Sequence, residues 1–236
     1  MNRIHKIFLL VIFSFYLSVK LIGQPLVGAQ FGINISSLSG DKNNEETVVR
    51  VGASPYISFD FPVSHIITIE TGFSYSMQGM QRTKIVKDGL SVYTTKTNYN
   101  VDYLVVPFYL KENFTNFYAK IGPYGAYLVN AVEKWEKIEN TSGAIKETKG
   151  LNLEFQESIN PYDIGVSIGF GYIHYFQKNQ RRRRKSFGRR RTTRVMQVDL
   201  KYNFGFVPLD PTGNNPEMDL KNRVFTIGLS INSIID

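Results

Sequence analysis

The chain has 236 residues, 42% of them hydrophobic, with 14 Tyr, 17 Phe, 19 Gly, a single Trp and no cysteine. The lack of cysteine excludes disulfides, thiolate metal sites, a cysteine nucleophile and a lipid anchor on an N-terminal cysteine. The formal net charge of +8 is local: Arg181, Arg182, Arg183, Arg184, Lys185, Arg189, Arg190, Arg191 and Arg194 lie together, and without them 19 basic residues face 20 acidic ones. A near-neutral chain with one basic insert is not a generally nucleic-acid-binding protein.

Residues 1–23 read as a secretory signal peptide. Arg3 and Lys6 make a positive start, Ile7 to Val19 is an apolar run, and Gly23 supplies a small residue for cleavage before Gln24. The run is ~13 residues long, short of the ~20 that a spanning helix needs. Residues 24–236 then form the folded domain, and their hydrophobic period is two.

Eight segments carry the pattern in chain order. Val27, Ala29, Phe31, Ile33 and Ile35 alternate with small or polar residues, and Val49, Val51, Ala53, Ile57 and Phe59 repeat this opposite Arg50, Ser54 and Asp60. The third sets Ile67, Ile69, Thr71, Phe73 and Tyr75 against Thr68, Glu70, Gly72, Ser74 and Ser76. The fourth, Asn98 to Lys111, is apolar on both faces, so its phase stays open. Phe117 to Val129 is the fifth, Ile164 to Tyr172 the sixth, Met196 to Gly205 the seventh, and Phe225 to Asn232 the last. Connections after the second and fourth are short, Pro62 to His65 and Asn113 to Asn116; those after the odd-numbered segments are long and polar, the largest spanning roughly Asn130 to Pro161.

Short turns on one side and long loops on the other are the layout of an outer-membrane barrel. In hydrocarbon every backbone N–H and C=O must find a partner, so a sheet with free edges is excluded and the ring must close. The expected fold is therefore all-β: an eight-stranded antiparallel up-and-down transmembrane β-barrel of the cell outer membrane, its Val/Ile/Leu/Phe/Tyr face toward lipid. A ring of eight has an interior that side chains fill, with no open pore. Arg50, Glu70, Lys120, Asp199 and Lys201 fall on the inward face, and buried charges persist only when paired, so they are expected to form an interior charge network.

Three segments carry a family resemblance. Tyr103-Leu-Val-Val-Pro-Phe-Tyr-Leu-Lys111, Phe117-Tyr-Ala-Lys-Ile-Gly-Pro-Tyr-Gly125 and Tyr162-Asp-Ile-Gly-Val-Ser-Ile-Gly-Phe-Gly171 resemble consecutive strands of the PorT-like outer-membrane barrel proteins of Bacteroidetes, and Gly32 to Ser37 and Glu70 to Tyr75 fit as well. The resemblance implies an eight-stranded barrel in the outer membrane. Two features depart from it: the arginine-rich insert, and a last residue, Asp236, that is not aromatic.

The insert, residues 180–194, falls in what should be a periplasmic turn. It reads as a solvated turn or as a contact for an acidic periplasmic partner or anionic lipid headgroups, where each Lys or Arg contributes ~1 kcal/mol; behind an export signal, nucleic acid is not the expected partner. His174 shares the lipid-facing phase beside Tyr175 and Phe176, which suits an aromatic girdle better than catalysis. No cofactor or metal site is expected. The functional reading is a non-enzymatic anchor, scaffold or surface-binding module with long external loops. Its rivals are a membrane-embedded enzyme acting on lipid and a soluble lipocalin-like barrel holding an apolar ligand.

Overall fold

The computed structural model describes residues 24–39, 46–89, 91–141, 144–175, 194–209 and 220–234. The signal segment 1–23 and Arg181, Arg182, Arg183, Arg184, Lys185, Arg189, Arg190 and Arg191 of the basic insert lie outside the described residues.

The strands are β1 (Leu26–Ser39), β2 (Glu46–Pro62), β3 (Ile67–Asp88), β4 (Ser91–Phe114), β5 (Phe117–Thr141), β6 (Ala144–Asn152), β7 (Tyr162–Tyr175), β8 (Arg194–Pro208) and β9 (Lys221–Ile234), with a 3₁₀ turn at Glu154–Ser158 before β7. Each strand of the ring pairs antiparallel with its neighbours; β1 pairs with both β2 and β9, and the β4–β5 ladder completes the circle. Eight strands close the barrel. β6 stands outside it, paired with the far end of β5 alone among the described residues.

The alternation read from the sequence is the alternation of the walls. Phe31, Ile57, Phe73 and Ile231 point outward and are more than half exposed in the isolated chain, while Asn34, Ser58, Glu70 and Asn232 on the opposite face are buried. Two aromatic pairs mark the limits of the apolar band on β5 and β7: Phe117–Tyr172, 5.3 Å between ring centroids, beside the short turn, and Tyr127–Tyr162, 5.5 Å, at the other end. Ten residues separate them along β5, ~33 Å of strand; tilted by ~40°, that spans ~25 Å of height, the thickness of an outer-membrane apolar band. Ile227 sits near the middle of β9 on this face. Ile227→Arg is expected to cost ~2–4 kcal/mol of folding stability in lipid, read as a lower urea midpoint for a refolded barrel; an unchanged midpoint would mean this face does not meet hydrocarbon.

Two segments read as loops are strand instead. β3 and β4 run 22 and 24 residues and turn at Gly89, whose φ of +57° suits a residue with no Cβ. β5 runs 25 residues and returns as β6, so the stretch from Asn130 to Pro161 is mostly hairpin. The cause is that a ladder outside the membrane needs no apolar face. Polar β-formers such as Thr94, Thr95 and Thr97 carry it. Only ~9–11 residues per strand are needed to cross, so the remainder projects as a four-stranded sheet, β3-β4-β5-β6, beyond the ring.

Candidate functional site

The lower half of the barrel, toward the short turns, holds six ionisable groups from five strands. Asp60 (β2), Glu70 (β3), Lys111 (β4), Lys120 (β5), Asp199 and Lys201 (β8) are all buried. Lys120 bridges Glu70 at 2.9 Å and Asp199 at 2.8 Å. Lys111 donates to Asp60 at 3.1 Å, Glu70 at 3.2 Å and the Gln197 side-chain oxygen at 3.2 Å. Its three ammonium hydrogens thus have three acceptors. Three cations and three carboxylates balance formally, the condition under which ions can be sealed away from water.

Tyrosines finish the cluster. Tyr56 donates to Glu70 at 3.3 Å, Tyr118 to Asp199 at 3.1 Å and Tyr109 to Ser167 at 3.0 Å. Lys111 lies 4.3 Å from the Tyr118 ring centre and Lys120 4.8 Å from that of Tyr109, within cation–π range.

Of the five residues expected to share a network, the structure brings Glu70, Lys120 and Asp199 into contact. Lys201 is buried with them but forms no ion pair among the described residues; its ammonium lies 5.3 Å over the Tyr56 ring. Arg50 is elsewhere. It sits toward the outer end of β2, donates to the Gln78 carbonyl and pairs with Asp102 at 3.4 Å. Asp102 also accepts from Tyr75 at 3.1 Å and Asn130 at 3.2 Å. Arg50 belongs with Asp102 because it lies ten positions from Asp60 along β2, ~33 Å of strand, beyond the reach of the lower cluster. Sequence pattern does not single out Lys111 or Asp60: Lys111 falls in the one segment whose phase it leaves open, and Asp60 is one of several polar residues on an alternating face.

The glycines of β7 have a specific use. Gly165, Gly169 and Gly171 face inward, and a Cβ on each would strike a large inward side chain of β5: Tyr124 at 2.6 Å, Lys120 at 3.0 Å and Tyr118 at 2.3 Å respectively. The glycine spacing of β7 is therefore the imprint of the side chains that β5 drives into the lumen.

The outer half of the lumen is mostly apolar around two polar sites: the Arg50–Asp102 pair, and the buried Asp163, which accepts from Tyr124 at 3.1 Å and Asn222 at 2.9 Å. Leu38, Val101, Tyr103, Val105, Tyr124, Ala126 and Leu128 line it, joined by Phe155, Ile159, Leu209 and Leu220 from the connections above. Phe155 meets Tyr99 with ring centroids 5.5 Å apart. The connections are fastened down by backbone bonds: Leu128 N–H to Pro161 at 2.8 Å, Asn160 N–H to Leu209 at 2.7 Å, and Leu209 N–H to Leu220 at 3.0 Å. Ionic fill below and mostly apolar fill above, with Asp163 and Asp102 each held by hydrogen bonds, suit the arrangement to holding a shape. Among the described residues no group of three or more His, Asp or Glu could hold a metal ion.

Residues 23–210 match the family described as outer membrane protein beta-barrel domain, about four-fifths of the sequence. The chain belongs to that family. Such a barrel resides in the outer membrane, which fixes the surroundings of both faces: the outward band lies in lipid, the short turns face the periplasm and the long hairpins face outside. No protein of curated function matches. Solved structures of similar course are Ail, the attachment invasion locus protein of Yersinia pestis (8% identity, covering 89% of this chain and 98% of that one, TM-score 0.37), Neisserial surface protein A (9%, 89% and 97%, 0.38) and OprG of Pseudomonas aeruginosa (11%, 89% and 96%, 0.28). At these identities and scores they bear on no function.

Within this outer membrane barrel, His174 lies on the lipid side of β7, one step beyond Tyr172 toward the periplasm. Outside the membrane, on the projecting sheet, Lys149 donates to Glu147 at 2.6 Å and pairs with Glu136 at 3.3 Å; the hydrogen bond from Lys149 holds the Glu147 carboxyl below its usual value. Tyr93 and Trp135 stand on the sheet face that continues the lumen wall, Trp135 packed over Gly150 and Lys137 4.8 Å over the Tyr93 ring.

Proposed function

We propose that this protein is a closed, non-enzymatic membrane scaffold whose working part is the four-stranded sheet it holds outside the cell. The observation that carries the reading is the contrast between the two regions. The lumen is occupied at both levels, by ion pairs and tyrosines below and by an apolar plug with its fastened connections above, whereas the regular structure beyond what the membrane requires lies in β3 to β6. A conduit needs an open, polar lumen; a display platform needs a rigid stem and an ordered head.

A lipid-modifying enzyme would need a nucleophile and a base close together at the lipid boundary, and His174 there has aromatic neighbours on its own face. A soluble lipocalin-like carrier would need an apolar cavity, and the lower lumen is ionic. Kinship with the PorT-like proteins is part of this reading. It is supported by the roles of the motif residues, since Tyr103, Tyr109, Lys111, Tyr118, Lys120 and Tyr124 all fill the lumen. Export by a leader over 1–23, and contact of the basic insert with anionic headgroups or an acidic periplasmic partner, are also parts of the proposal.

Two measurements test it. Purified protein in a planar bilayer is expected to give no stepwise conductance, and stable channels in the wild type would sink the reading. A single cysteine at Lys146→Cys is expected to react with a membrane-impermeant maleimide on intact cells, while one at Thr115→Cys, in the short β4–β5 turn, is not. Labelling of the second alone would invert the topology.

A further inference from the structure

The outer edge of β6 is the one place in the projecting sheet where a nine-residue ladder, Ala144–Asn152, has no neighbour among the described residues. Its charged residues, Lys146, Glu147 and Lys149, are flanked by apolar ones. Ile145 is 72% exposed and Leu151 55%. A free edge with exposed apolar residues is a template for strand addition, so the question is what strand its sequence fits.

β6 is complementary to itself. In an antiparallel pair of two copies centred on Thr148, Ile145 stands opposite Leu151, Lys146 opposite Gly150 and Glu147 opposite Lys149, and each pair occurs twice by symmetry. Alternate residues share a face, so Ile145, Glu147, Lys149 and Leu151 present one outward stripe, apolar at both ends and oppositely charged within. Neighbouring registers lose this. Centring on Glu147 or on Lys149 sets that residue against its own copy, centring between Glu147 and Thr148 opposes Lys146 to Lys149, and centring between Thr148 and Lys149 faces Lys146 with Leu151. One register alone matches apolar to apolar and acid to base, and register is what such pairing must specify.

We infer that β6 binds β6 of a second copy of this chain, antiparallel about Thr148, fusing two projecting sheets into one of eight strands. The two-fold axis of such a pair is perpendicular to the upright sheet and so lies in the membrane plane; it turns the second copy over, and the pair joins barrels that face each other from opposing membranes, hairpin to hairpin. The salt links of Lys149 to Glu147 and Glu136 within one chain are exposed and low in energy, so Lys149 can exchange Glu147 of its own chain for that of its partner. This inference rests on the display reading above and names its partner.

The test uses the full-length barrel in detergent micelles, where two barrels can meet head to head, and in suspensions of whole cells that display it. The chain has no cysteine, so Thr148→Cys introduces one thiol, opposite itself in the pair. Oxidation with copper phenanthroline is expected to give a disulfide dimer on a non-reducing gel. Adding Glu147→Lys or Lys149→Glu sets like charges opposed across the pair and is expected to lower the cross-linked fraction about tenfold. Mixing the two singly reversed chains restores opposite charges and should restore the cross-link between them. Unheated and boiled samples must migrate differently for every variant, which shows that each barrel is folded. No dimer at Thr148→Cys, or dimers indifferent to the charge reversals, overturns the inference while leaving the scaffold reading intact; channel conductance would overturn that reading whatever the cross-linking gives.

Discussion

Lys120→Met is expected to destabilise the barrel by about 3–5 kcal/mol, the usual cost of removing one partner from a buried ion pair. The side chain sits between Glu70 at 2.9 Å and Asp199 at 2.8 Å, so its loss leaves two carboxylates in a dry lumen with one nearby ammonium fewer. Methionine keeps the volume, so the cost is electrostatic rather than a cavity. The measurement is the urea midpoint of the detergent-refolded protein, followed by the difference in mobility between unheated and boiled samples. Adding Asp199→Asn restores the formal balance, two lysines against Asp60 and Glu70, and is expected to return part of the loss. If the double variant is no more stable than the sum of the single effects predicts, the two residues are not coupled.

Gly171→Val should be nearly as damaging for a steric reason. A Cβ at that position would lie 2.3 Å from the Tyr118 ring carbon that bears the hydroxyl and 2.4 Å from the hydroxyl itself, and Tyr118 is held by its bond to Asp199. Overfilling a packed interior typically costs ~1–3 kcal/mol, and here the shift also disturbs the Asp199 link. The same urea titration reads it. Tyr118→Ala in the same chain makes room and should restore a measurable part of the stability, though not the hydrogen bond. Gly89→Val, with nothing within 4 Å of the added Cβ, controls for glycine replacement without a clash, and its own cost is only that of the positive φ.

The fold was legible because lipid imposes a simple rule on sequence. Phe31, Ile33 and Ile35 alternate with Asn34 and Ser36 as a strand with one face in an apolar medium must, and the short turns at Pro62 and Asn113 set the hairpins. β4 resisted phasing because its inward residues, Tyr103, Val105 and Tyr109, are as apolar as its outward ones, Leu104, Val106 and Phe108. An aromatic lumen erases the contrast that periodicity depends on. The projecting strands were hidden for the converse reason, since both of their faces meet water and nothing demands alternation. Pairing of Lys120 with Glu70 and Asp199 followed from inward charges needing partners. Which charges meet across the lumen depends on the height at which tilted strands bring them level, and no local pattern encodes that; Arg50, ten positions from Asp60 on β2, meets Asp102 instead. At Val129 and Asn130 an extra residue in β5 reverses which parity faces inward, so a pattern extrapolated through that point points the wrong way.

The ionic cluster also bears on how such a ring is assembled. Lys120 joins β5 to β3 and β8, and Lys111 joins β4 to β2, so these links span strands that are not neighbours. None of these charges lies on β1 or β9, whose pairing joins the two ends of the chain's sheet. The ions can therefore find their partners within the run from β2 to β8 while that seam is still open, and each link fixes the curvature of the three strands it spans. A strand that misregisters by one residue turns its charge toward lipid, a defect that assembly or proteolysis can discriminate before the barrel is released into the membrane.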